Sequence, residues 1–167
     1  EVTAEIDFQT MILGNKRPDE IETLIFAEIT AAKTAIKLHV KAPSIYVYSS
    51  EKSLSKGKGS TLKTAFENTA MEMGFTISKS KKSADLLAYI DSDTRTAGVN
   101  YDLNNAYLNA TITVTKNSTE TIVYQDKIEN IKGVDATYVL ASKEAYKKAV
   151  DRIIKKIVPR FYRKYTS

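Results

Sequence analysis

The sequence predicts an α+β fold, a two-layer sandwich in which a mixed or antiparallel sheet carries helices on one face. Three observations predict it: strand-like alternation at the start and in the middle of the chain, helical apolar spacing in three stretches, and an element order without regular βαβ repetition. The 167 residues fit a single domain, within which residues 1–43 form a candidate N-terminal strand–helix unit. Hydrophobic residues at 43% and charged residues at 27% are enough to bury a core without metals or disulfides. No apolar run approaches the roughly 18–20 residues of a membrane-spanning helix.

Val2, Ala4, Ile6 and Phe8 alternate with Thr3, Glu5, Asp7 and Gln9, which predicts a half-buried strand. Gly14 and Asn15 break it. Pro18, Asp19, Glu20 and Glu22 then open a long helix whose apolar stripe is Ile21, Ile25, Ile29, Ala32, Ile36 and Val40, with Pro43 as its stop. Ser44 to Tyr48 reads as a strand, and the serine-rich, glycine-containing stretch from Ser49 to Gly59 as a loop. Ser60 is the expected N-cap of a helix with the stripe Leu62, Ala65, Phe66, Ala70 and Met73, which Gly74 ends.

Phe75 to Ser78 is a short strand and Asp85 to Asp91 a fuller one. Residues 92–106 are polar and long enough to be either a functional loop or an extended hairpin connection. Leu108, Ala110, Ile112 and Val114 alternate with Asn109, Thr111, Thr113 and Thr115, and a partner strand begins at Thr121. The last helix pairs apolar residues at 145/146, 149/150, 153/154 and 157/158, so one face is core and the other basic.

The chain carries +5, but Lys143 to Ser167 alone carries +7, leaving −2 on the rest. That face makes Lys147, Lys148, Arg152, Lys155, Lys156, Arg160 and Arg163 candidates for binding a polyanion. Cysteine is absent, which excludes disulfides, thiolate nucleophiles and Cys-based metal sites. The stretch Ser55-Lys56-Gly57-Lys58-Gly59-Ser60-Thr61 fails the P-loop spacing, with Lys52 at the first glycine position and Gly59 where the metal-binding hydroxyl belongs. His39, the single histidine, stands without a recognisable nucleophile. Asp91-Ser92-Asp93 lacks EF-hand spacing, and Glu67 and Glu72 show no sign of the burial that acid/base work requires. Asn109-Ala110-Thr111 and Asn117-Ser118-Thr119 match the glycosylation acceptor pattern, to which no function is attached. No enzyme is expected, and no cofactor or metal.

The run from Thr61 to Asp93 has a distinctive order: a helix with Leu62 and Phe66, then Gly74-Phe75-Thr76-Ile77, a polar spacer, and Ala84-Asp85-Leu86-Leu87. With the alternating hairpin, Ile131-Lys132-Gly133 and a helix bearing Ala141, Ala145 and Ala149, it resembles the bacterial envelope-assembly and lipoprotein superfamily of CsgG, LpoB and FlgT-like domains. The resemblance covers about residues 45–158. Residues 1–43, with Ala31-Ala32-Lys33-Thr34-Ala35, are similar in style to the extra N-terminal unit of FlgT-like proteins.

The resemblance implies a non-enzymatic, exported protein of the periplasm or outer membrane that acts by protein contacts in assembling or regulating an envelope structure. The chain opens on Glu1-Val2-Thr3 with neither Met nor an apolar leader, as expected once a signal segment is removed. The expected partners are an envelope protein and further copies of the chain, with membrane attachment only through a lipid anchor and nucleic acid disfavoured. The strands Val2 to Gln9 or Tyr107 to Thr115 are the candidate sheet edges for strand addition, the second presenting Tyr107, Asn109, Thr111 and Thr113. The alternative function is a basic polyanion- or nucleic-acid-binding module built on the C-terminal helix.

Overall fold

The computed structural model describes residues 2–4, 36–38, 42–55 and 59–166. The chain divides into two compact units, Glu1–Lys41 and Ala42–Ser167.

In the first unit, β1 (Val2–Ala4) pairs antiparallel with β2 (Ile36–Leu38), Thr3 opposite Lys37. This corrects the long helix at its C-terminal end, because Ile36 lies in a strand. Ile36, Lys37 and Leu38 also alternate apolar, polar and apolar, the period of a strand, and backbone pairing with β1 decides between the two. The rest of the predicted helix, with His39, and the continuation of the first strand to Phe8 lie outside the described residues.

The second unit is the expected α+β sandwich. Its elements are β3 (Ser44–Lys52), α1 (Thr61–Glu72), β4 (Thr76–Ile77), β5 (Leu86–Asn100), β6 (Leu103–Lys116), β7 (Ile122–Asp135), α2 (Tyr138–Arg152), a π-helical turn (Ile153–Ile157) and α3 (Val158–Thr166). The sheet order is β4-β3-β5-β6-β7, with β3 parallel to both β4 and β5 and the last three strands antiparallel. Residues 92–106 are the extended hairpin rather than a loop. Pairing runs on to Asn100 opposite Leu103, closed by Tyr101 and Asp102 at φ 49° and 60°, the left-handed pair that a two-residue hairpin turn requires. β3 likewise continues to Lys52, because β5 offers it partners as far as Asp93.

Alternation sorts the two faces. Ile45, Val47, Leu86, Ala88, Ile90, Leu108, Ile112 and Val114 are buried beneath the helices. Leu62, Phe66 and Ala70 of α1, Ala145 and Ala149 of α2, and Ile153 and Ile157 of the π turn close the layer above them. Phe161 of α3 sits at its centre, its ring 5.2 Å from Phe75, 5.7 Å from Tyr124 and 6.2 Å from Phe66. Each such fully buried ring or branched side chain stabilises the fold by roughly 1.5–3 kcal/mol.

Candidate interaction surface

The face of the sheet turned away from the helices is built in cross-strand rows. Tyr48, Tyr89, Thr113 and Gln125 stand opposite one another across β3, β5, β6 and β7; the next row is Ser50, Asp91, Thr111 and Lys127. Tyr48 and Tyr89 stack at 4.8 Å, and Tyr46 extends the stack at 6.1 Å. Farther along, the Arg95 guanidinium lies over the Tyr107 ring at 5.5 Å and donates to Asn130 Oδ1 at 3.3 Å, while Asn130 N–H donates to Asn109 Oδ1 at 2.8 Å. A shallow depression forms there, lined by Asn109, Thr111, Lys127, Glu129 and Asn130. Rows of this kind hold side chains by cross-strand contact, and the face mixes aromatic with polar groups.

The predicted edge is corrected. Tyr107, Asn109, Thr111 and Thr113 belong to β6, which is paired on both sides, so the backbone groups needed for strand addition are already used. Those four residues lie instead in the middle of the face turned away from the helices. The outer strands are β7 and β4. Register shifts interrupt β7 between Leu108/Ala110 and Val114/Thr115 of its partner, and Lys148 Nζ donates to the Lys132 carbonyl at 2.9 Å, devices that discourage edge pairing.

Lys148 and Arg160, two of the seven C-terminal cations, face carboxylates. Lys148 is tied to β7 and faces Glu144 at 3.8 Å, and Arg160 faces Asp126 at 3.6 Å. Lys147, Arg152, Lys155, Lys156 and Arg163 are exposed along the helices. Asp126 also lies 2.9 Å from the Tyr124 hydroxyl, whose single proton is shared between that carboxylate and Ile157 O at 3.2 Å. Burial, and then the bond to that carboxylate, pushes the Tyr124 phenol well above its ordinary value. Burial raises Tyr146 too, against a bond with Ser92 at 3.0 Å that lowers it.

The start of α1, where the failed P-loop motif lies, holds an anion of its own. Ser60 makes no side-chain cap; the buried Glu51 carboxylate accepts Leu62 N–H at 3.1 Å and Lys63 N–H at 3.0 Å. An external phosphate would meet a carboxylate already seated on those donors. Nearby, buried Ser142 ties α2 to Thr94 at 3.3 Å, to Ser53 at 3.4 Å and to Leu54 N–H at 3.5 Å. Among the described residues no three His, Cys, Asp or Glu converge as metal ligands, and no helix is long and apolar enough to cross a membrane.

No protein-family model matches the chain, and no curated protein matches it. Solved structures do. The fold is shared with protein XCC0632 from Xanthomonas campestris, of the family DUF330. That alignment has a TM-score of 0.53 at 10% identity and covers 74% of this chain and 86% of that one. PelC from Paraburkholderia phytofirmans, a dodecamer in its crystals, aligns at TM-score 0.48 and 13% identity over 70% of this chain and 85% of its own. The lipoprotein GNA1162 from Neisseria meningitidis aligns at 0.46 and 11% over 70% and 99%. XCC0632 establishes the likeness of fold; the other two are too distant to weigh.

Sequence reasoning missed the stack of Tyr46, Tyr48 and Tyr89. The alternation Tyr46, Val47, Tyr48 carried that signal. Nothing local pointed to the Arg95, Asn109 and Asn130 cluster, whose members come from three strands.

Proposed function

We propose that the protein is a non-enzymatic, exported protein of the bacterial cell envelope, periplasmic or attached to the outer membrane. Its α+β unit takes a protein partner during assembly or regulation of an envelope structure. The observation that carries this reading is the sheet face turned away from the helices: a tyrosine stack, a threonine strand and an ordered Arg95–Asn130–Asn109 cluster form a mixed aromatic and polar surface. Such surfaces, with aromatic side chains and Arg held among hydrogen-bonding groups, suit protein contact. The order of motifs from Thr61 to Asp93 and the CsgG, LpoB and FlgT-like continuation support the envelope assignment.

The test is to express the whole gene in a bacterium, fractionate the cells, and place a photo-crosslinking residue at Thr113, with Lys143 on the back of α2 as control. Recovery in the periplasm or membrane, with a discrete protein adduct at Thr113 and none at Lys143, is the expected outcome. Cytoplasmic recovery with nucleic acid that washes off at high salt overturns the reading.

A further inference from the structure

One end of the Ala42–Ser167 unit gathers exposed apolar side chains. Val99, Tyr101 and Leu103, at the β5–β6 turn, are 61%, 91% and 42% exposed, and Val139 and Leu140 at the start of α2 are 40% and 41% exposed. The two groups share an end of the sheet: Asn104 pairs with Asp135 just ahead of α2, and its Nδ2 donates to Ala136 O at 2.8 Å. Charge is sparse there and all of one sign: Asp102 is the sole charged side chain from 96 to 106, Asp135 stands just ahead of α2, and from 136 to 142 there is none.

Register separates the apolar groups of the turn. Val99 pairs with Asn104 and Asn100 with Leu103, and adjacent pairs of a ribbon point to opposite faces. Val99 therefore lies on the helix side, Leu103 on the open side and Tyr101 at the apex. A flat protein surface covers one face of a ribbon; a fluid apolar medium that surrounds the tip buries all three at once. Tyrosine, with an apolar ring and a polar tip, favours the boundary between lipid headgroups and acyl chains.

We infer that the β5–β6 turn inserts into the interfacial layer of a lipid bilayer, its ligand being neutral phospholipid, with Val139 and Leu140 against the same surface. This adds a direct membrane contact to the one expected only through a lipid anchor. It uses the turn at one end of the sheet, away from the tyrosine stack and Thr113 of the protein-binding face, so either reading can fail alone.

These 167 residues contain no Trp, so Tyr101→Trp in the 167-residue chain is a sole-tryptophan reporter. Vesicles of phosphatidylcholine and phosphatidylethanolamine are titrated against it. The expected result is a blue-shifted emission, quenched by shallow spin-labelled lipid, insensitive to salt, with partition weakened roughly tenfold or more by Val99→Ser combined with Leu103→Ser. Both positions are exposed, and a circular-dichroism melt confirms that the double variant folds. Unshifted emission overturns the inference. So does a shift without vesicles that grows with protein concentration, which assigns the turn to a second copy of the chain. Binding confined to phosphatidylglycerol vesicles and lost at high salt also overturns it, assigning membrane contact to the basic helices.

Discussion

Gly133 of β7 lies directly under Ala141 of α2, so close that a β-carbon at 133 would overlap the Ala141 carbonyl and crowd the Ala145 amide to 2.6 Å. Ala141, Ala145 and Ala149 are fully buried along the same helix face, and this run of small residues lets α2 approach the sheet. The atoms in the way are backbone and cannot swing aside. Gly133→Ala is expected to lower stability by about 3 kcal/mol, the upper end for overpacking, read as a lower urea midpoint.

Glu51 is a cap supplied from a distance. Removing its carboxylate with Glu51→Ala leaves two amides at the start of α1 without that acceptor, and the expected loss is about 2–3 kcal/mol. Hydrogen exchange at Leu62 and Lys63 should quicken first. A variant with unchanged exchange there would show that the cap contributes nothing.

The raised phenols make stability fall at high pH. Below the ordinary tyrosine value of about 10, Tyr124 and Tyr146 are neutral in both folded and unfolded chains, and their contribution is fully present. As pH rises beyond that, the unfolded chain releases protons that the folded one retains, so stability declines toward the raised folded values. Urea midpoints measured from pH 9 to about pH 11 should fall, and Tyr124→Phe should flatten the decline.

Thr111→Pro tests the corrected position of β6. A proline in a doubly paired strand removes a ladder bond and finds no free side to occupy. The expected outcome is a large fall in Tm or outright unfolding of the Ala42–Ser167 unit, by circular dichroism. A normally folded variant would restore β6 to an edge.

Much of the fold was legible because its signals are local. Leu108 to Val114 alternates cleanly, the stripe from Leu62 to Met73 is stopped by Gly74 at φ 91°, and both elements form where expected. What failed was non-local. Whether Thr111 lies at an edge depends on where β7 pairs, which its own alternation does not encode. Ser60 has the right identity for a cap, yet Glu51, nine residues earlier, reaches the amides first. The basic face was legible as composition, but the ties of Lys148 and Arg160 to β7 are properties of packing.

The π-helical turn at Ile153–Ile157 carries one residue more than an α-helical turn would, and Phe161 beyond it still reaches the core. Chain length is therefore negotiable at this point. Deleting exposed Lys155 should let the segment close as ordinary α-helix with Phe161 still directed inward, whereas deleting Lys147 from regular α2 would turn the following residues by about 100° and expose them. The turn is a seam where one residue can be lost without turning the helix that follows it.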